Sequence, residues 1–190
     1  MVSLIKRRDQ TIEMNICKGG VNMFNFFKKD KQETVAPVEK ATLYAPANGR
    51  IVPVTEVADP VFSQKMMGDG YAVIPTDGDI YSPVEGKVLS VFPTKHAIGI
   101  QMASGIEILI HMGLDTVELN GKPFETFVNE GDTLTADTLV AKCDLASLAE
   151  AGKDNAMVVV ITNMDKVKEF VLDEHADVQA KQAVGSVQHL

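Results

Sequence analysis

The chain of 190 residues has no tryptophan, three tyrosines and two cysteines. Cys17 and Cys143 lie far apart in unlike sequence, so neither a disulfide framework nor a Cys-x-x-Cys site is indicated, and a reducing compartment is the simpler assumption. No apolar run approaches the ~20 residues of a membrane-spanning helix, and the apolar residues at the N-terminus are too broken by charge for a signal peptide. Lysine and arginine are outnumbered 18 to 26 by acidic residues and cluster on no predicted face, which argues against nucleic acid as a partner. Neither a P-loop nor a Gly-rich kinase loop is present, so no nucleotide donor is evident. An H-x-H pair, an H-E-x-x-H helix and a G-x-S-x-G elbow are also missing, which weakens zinc hydrolysis and serine hydrolysis.

What remains is globular material, 45% hydrophobic with a net charge of −8. Residues 1–40 read as a tail and linker, and 41–190 as one domain. Within the tail, Lys18-Gly19-Gly20 precedes Met23 at the distance of a ribosome-binding sequence. This makes Met23 an alternative start, with residues 1–22 then a translated leader. Phe24, Phe26 and Phe27 beside Lys28, Lys29 and Lys31 read as a tail with exposed aromatics, with a short contact to an acidic membrane surface as the alternative.

The domain reads as all-β. Runs of β-formers recur at 42–44, 49–54, 70–74, 86–91, 97–102, 107–111, 139–143 and 157–162, with Gly and Pro between them. Such short strands suggest an antiparallel sandwich or barrel. Two short helices are expected, at 144–151 and at 164–171 with Asn163 or Asp165 as cap. Residues 172–190 are polar, with a last strand near 184–190, and His175 and His189 read as solvent-facing. The stretch Ala45–Val54 echoes Ser82–Val91 in its Pro, Gly, basic residue and apolar strand, as a duplicated β unit that pairs with itself would.

Chemistry concentrates near His111. In Gly105–Met112, Ile106, Ile108, Ile110 and Met112 share one face, while Glu107, Leu109 and His111 share the other, more polar one. Gly113 follows, expected to leave the imidazole's surroundings open, with Asp115 close by. His96 and Thr94 lie upstream in Phe92-Pro-Thr-Lys-His-Ala. His111 and Asp115 alone fall short of a hydrolytic zinc set. A neutral imidazole, with a reference pKa of ~6.5, attacks phosphorus without a base and forms a labile N–P bond. A second histidine and a hydroxyl supply donors for the equatorial oxygens. The phosphate then has to come from another protein, and Val61, Phe62, Met66 and Met67 offer an apolar docking run.

These residues fall into a known pattern. His111-Met-Gly-Leu-Asp-Thr-Val-Glu-Leu-Asn-Gly-Lys-Pro-Phe124, Thr94-Lys-His-Ala-Ile-Gly-Ile100 and Asp59-Pro-Val-Phe-Ser-Gln-Lys-Met-Met-Gly-Asp-Gly70 resemble the glucose-family enzyme IIA component of the bacterial sugar phosphotransferase system. Ser82-Pro-Val-Glu-Gly86 and Gly131-Asp132 resemble it in the same order. The resemblance implies an all-β duplicated hybrid-motif fold and a phosphotransferase working in the cytoplasm with no cofactor and no metal. His111 would take phosphate on Nε2 from the carrier HPr and pass it to an enzyme IIB domain of a sugar permease, the only link to the membrane. His96 would bond the phosphoryl group, Thr94 would support His96, and Asp115 would shape the local charge. Val61, Phe62, Met67, Phe92 and Leu109 would form the apolar rim that receives both partners. A regulatory module acting through its unphosphorylated surface is the runner-up. Lys95 and Met112 depart from better-known relatives, as does the stretch beyond Asp173.

Overall fold

The computed structural model describes residues 40–174 and 176–190. Residues 1–39, with Cys17 and Met23, and His175 therefore lie outside the described residues, whereas Lys40, expected in the tail, already belongs to the first strand.

In chain order the strands are β1 (Lys40–Tyr44), β2 (Gly49–Pro53), β3 (Asp69–Pro75), β4 (Asp79–Tyr81), β5 (Gly86–Val91), β6 (Ala97–Gln101) and β7 (Glu107–Met112). They continue with β8 (Phe124–Thr126), β9 (Thr133–Leu134), β10 (Leu139–Cys143), β11 (Met157–Ile161), β12 (Val167–Leu172), β13 (Asp177–Val178) and β14 (Ala183–His189). Two short helices, α1 (Pro60–Ser63) and α2 (Leu145–Glu150), and three 3-10 turns complete the described residues. Every strand pair is antiparallel. The expected all-β class and the helix at 144–151 hold; Asp144 caps α2, its carboxylate accepting from the Ser147 N–H at 3.0 Å.

The duplication is real, but the two echoing segments do not pair with each other as expected. One three-stranded sheet runs β1-β14-β12 and the other β4-β10-β8. The eight-stranded sheet reads β13-β2-β3-β11 from one edge and β9-β5-β6-β7 from the other, and the halves meet at β11 and β7. Registers match as well. Gly49 lies opposite Val178 as Gly86 lies opposite Leu134. Ala45 N–H donates to Gln182 O at 2.8 Å, as Ser82 N–H donates to Thr138 O at 2.9 Å. β2 and β5 themselves never pair. The repeats instead meet at their turns, where Tyr44 N–H donates to Pro83 O at 2.8 Å and Tyr81 N–H to Pro46 O at 2.7 Å.

The larger apolar core lies between the eight-stranded sheet and the two smaller ones, and includes Ile108, Ile110, Met112, Met157, Val159, Val140 and Val187. The alternate residues of the same central strands form a second apolar layer on the outer face: Val52, Ala72, Ala97, Leu109, Val158 and Val160, covered by Val54, Val57, Phe62 and Leu114. This is why β11 is buried at all five positions rather than alternately. It also corrects the expected character of the His111 face, which is apolar rather than polar.

The helix expected over 164–171 is absent. Only Met164–Lys166 turns, and Val167–Leu172 is a strand on the edge of β14. The Asn163 side chain is committed elsewhere. Its Oδ1 accepts from Glu107 N–H at 2.9 Å and its Nδ2 donates to Gly105 O at 3.0 Å, which ties the end of β11 to the start of β7. With no cap, Val167, Phe170 and Leu172 pack onto the main core as strand residues instead. His189 is half-buried rather than solvent-facing.

Candidate functional site

β7 lies between β6 and β11, with Ala97 and Val158 opposite His111, so the histidine backbone is held from both sides. The side chain emerges on the outer apolar face, where β7 ends in a turn at Gly113. Gly113 adopts φ +74°, and an added Cβ would come within 2.6 Å of Thr116 Cγ2 and 2.8 Å of Asp154 O. The glycine thus fits a packed corner, contrary to the open surroundings expected of it. Its N–H donates to Ala156 O at 2.9 Å, Leu114 N–H donates to Asp154 O at 3.0 Å, and the buried Thr116 hydroxyl donates to Met112 O at 2.7 Å.

That pinned turn aims the Gly113 carbonyl at His111 Nδ1, 2.8 Å away. A carbonyl only accepts, so Nδ1 carries the proton and the neutral ring keeps its free lone pair on Nε2. Burial pushes the His111 pKa down to about 4, and the neighbouring His96 adds to the effect. The Gly113 hydrogen bond and the carboxylates of Asp59 and Asp115 oppose it. The ring is therefore neutral across the physiological range.

His96 enters from the β5–β6 turn, where Lys95 sits at φ +54° and donates its N–H to Phe92 O at 2.7 Å. The His96 carbonyl accepts from Met112 N–H at 2.7 Å, locking this turn to the end of β7. Its ring is buried, which lowers its pKa, and its Nδ1 meets the Thr94 hydroxyl at 2.6 Å. Ring centroids of His96 and His111 are 4.9 Å apart at 75°. Phe62 lies edge-on to His111 at 5.3 Å and Phe92 edge-on to His96 at 5.4 Å, so four rings form one edge-to-face row.

The row lines a cleft of about 350 Å³. Its floor includes buried Phe62 and Leu109, and its rim exposed Val61, Met67, Phe92 and Val117. The nine candidate residues Thr94, His96, His111, Asp115, Val61, Phe62, Met67, Phe92 and Leu109 are thus brought together, though Phe62 and Leu109 are floor rather than rim. Thr94 reaches the cleft through His96. Asp115 is exposed at φ +55°, ahead of the turn Thr116–Leu119, and its carboxylate makes no cap bond there.

Sequence reasoning missed α1. Asp59-Pro60 is the signal: the Asp59 carboxylate accepts from Val61 N–H at 2.7 Å, and proline suits the first helical position. This helix buries Phe62 beside His111, worth about 1.5–3 kcal/mol, and sets a second carboxylate on the cleft. Val117 and the positioning roles of Gly113 and Thr116 were also missed. Among the described residues, no group of three or more His, Cys, Asp or Glu is placed to hold a metal ion, and no helix is long and apolar enough to cross a membrane.

Two expectations follow from this geometry. Gly113→Ala should cost about 2–4 kcal/mol, through left-handed strain and contact with a backbone oxygen. Denaturant midpoints measure it, and a loss under about 0.5 kcal/mol would contradict the packed corner. The His111 folded pKa lies below its unfolded value, so the unfolded chain binds more protons between them, and stability falls as pH drops from about 6.5 towards 4. After discounting for the solvent-facing edge of the ring, the loss is ~1–2 kcal/mol. Denaturation of the protein and His111→Gln across that window should diverge; parallel curves would refute the shift.

Comparison with known proteins adds a family. The profile described as phosphoenolpyruvate-dependent sugar phosphotransferase system, EIIA 1, matches residues 41–167. The glucose-specific EIIA component of Halalkalibacterium halodurans is 43% identical over 78% of this chain and 85% of that protein. The glucose-specific EIICBA component of Streptococcus pneumoniae is 49% identical over 77% of this chain, which spans only 20% of that longer protein. Among solved structures, glucose permease IIA from Mycoplasma capricolum superposes with a TM-score of 0.73 and 38% identity, over 78% of this chain and 96% of that one.

Proposed function

The chain belongs to the EIIA 1 family of the phosphoenolpyruvate-dependent sugar phosphotransferase system, and from that premise we propose that His111 is its phosphate carrier. A phosphotransferase-system EIIA component is a phosphotransferase with a phosphohistidine intermediate. The observation that carries the assignment is the 2.8 Å contact of His111 Nδ1 with the Gly113 carbonyl, which leaves Nε2 as the nucleophile.

Nε2 attacks the phosphorus of phospho-HPr; the new N–P bond forms as the donor's N–P bond breaks, and Nδ1 keeps its proton on Gly113. The ring gains positive character, which the Gly113 carbonyl and the carboxylates of Asp59 and Asp115 stabilise. The Thr94 hydroxyl lies 2.6 Å from His96 Nδ1; in the tautomer with that hydroxyl as donor, His96 presents Nε2–H to a phosphoryl oxygen. The group then passes to the phosphate-accepting residue of an enzyme IIB domain. Val61, Met67 and Phe92 receive both partners over the floor of Phe62 and Leu109. Glucose is the sugar in the relatives' names, and it is the sugar proposed here. The carrier domain spans 40–190, since Lys40 is the first residue of β1, and works on the cytoplasmic side of the membrane. The relatives' names favour this carrier reading over the regulatory module.

Transfer from the phosphorylated chain to a panel of IIB domains tests the reading. Rapid transfer to a glucose-type IIB is expected, and transfer to none of the panel would overturn it.

A further inference from the structure

The described sulfur atoms differ in exposure. Cys143 is buried and its thiol pushed up to about 12, chiefly by burial, so it supplies almost no thiolate at neutral pH. Met102, Met112 and Met157 are 5% exposed or less, and Met164 is half-buried. Met66 and Met67 are 71% and 39% exposed.

Their exposure is built into the backbone. After α1 the chain reverses at Lys65, which sits at φ +57° and donates its N–H to Phe62 O at 2.8 Å. Met66 N–H then donates to Val61 O at 3.0 Å, and Gly68 N–H to Lys65 O at 3.1 Å. The Lys65 ammonium pairs with Asp69 at 2.7 Å across the same turn. Two consecutive apolar side chains are thus held outward, and Met67 lines the cleft that holds His111.

We propose that Met66 and Met67 form a peroxide-responsive modification site through which sulfoxidation suppresses partner docking at the His111 cleft. The oxidant is a peroxide. Its O–O bond breaks, one oxygen bonds to the thioether sulfur, and the other leaves as water; sulfur loses two electrons and the peroxide gains them. The product replaces an adaptable apolar side chain with a strongly polar S=O, which a partner covering the rim must desolvate. A dithiol-driven sulfoxide reductase reverses the change. The effect on docking rests on the proposed phosphate transfer, but the site of oxidation does not.

The test treats the full chain with hydrogen peroxide and follows Met66, Met67, Met102, Met112, Met157 and Met164 by peptide mass spectrometry. Oxygen should appear first on Met66 and Met67; earlier uptake at any of the other four would overturn the site, whatever the protein's activity. Phosphate uptake from phospho-HPr is then measured before and after treatment. KM is expected to rise about tenfold with kcat little changed and to return after treatment with reductase and dithiol, whereas Met66→Leu/Met67→Leu should have the same KM before and after peroxide, whatever its untreated value. An equal rise in the double leucine variant, or no rise in the oxidised protein, would overturn the docking effect. Failure of the untreated protein to take up phosphate would instead count against the carrier reading.

Discussion

His111→Ala is expected to carry no detectable phosphate after incubation with HPr, enzyme I and phosphoenolpyruvate, under conditions that label the unaltered chain fully. Loss of a nucleophile removes the covalent route altogether, rather than slowing it by one interaction. Two alternative acceptors among the described residues are poor. His96 is buried and shares its Nδ1 with Thr94, and Cys143 is buried with its thiol pushed up to about 12. The label on the unaltered protein should be acid-labile and base-stable, as expected for a phosphoramidate. Phosphate persisting on His111→Ala would reject the assignment. Folding of the variant needs a separate check, since Phe62 packs edge-on against the lost ring. Retention of the denaturant transition would exclude collapse of the site as the cause.

His96→Gln should have the second largest effect, and a different one. His111 retains its contact with Gly113 in this variant, so labelling should persist. The glutamine amide keeps a donor but loses the ring that Thr94 orients at 2.6 Å and that stands 4.9 Å from His111. Onward transfer to a IIB domain should slow by roughly 100-fold, the scale of losing one preorganised donor to a developing oxyanion. Single-turnover transfer from the labelled variant measures it. Loss of labelling altogether would mean that the two histidines have been assigned the wrong way round. Thr94→Val should reproduce part of the effect, because the hydroxyl acts only through His96.

Much of this site was legible before the fold was known. Strands 86–91 and 139–143 coincide with β5 and β10 residue for residue; β5 opens on Gly86 and stops just before Phe92-Pro93, which marks its bounds. His96 and His111 were grouped on chemical grounds, and the structure supplies the reason they meet. β6 and β7 are antiparallel neighbours with Ala97 opposite His111, and Met112 N–H donates to His96 O, so the turn that carries His96 is fixed at the end of β7 with its ring 4.9 Å from that of His111. The helix misread at 164–171 shows the limit of local reasoning. Asn163 looked like a cap, but it bonds Glu107 and Gly105, partners remote in sequence.

The face of His111 was misjudged for a related reason. Leu109 and His111 alternate with the isoleucines of the main core, and alternation usually marks a solvated face. Here Phe62, from a helix only four residues long, covers that face together with Val54, Val57 and Leu114 from neighbouring turns, segments too short to show in a periodic pattern. Gly113 was noticed for the space it seemed to leave. Its function depends on its carbonyl, and no sequence pattern states where a carbonyl points. Burial of His111 by this second layer is also what keeps the ring unprotonated, so the missed layer and the chemistry are one feature.

The most direct test of the account concerns a single atom. Nitrogen-15 NMR of the uniformly labelled chain, phosphorylated through HPr, resolves which imidazole nitrogen bears phosphorus through its one-bond coupling. The account predicts coupling to His111 Nε2, with Nδ1 still protonated. Coupling to His111 Nδ1, or to either nitrogen of His96, would contradict it.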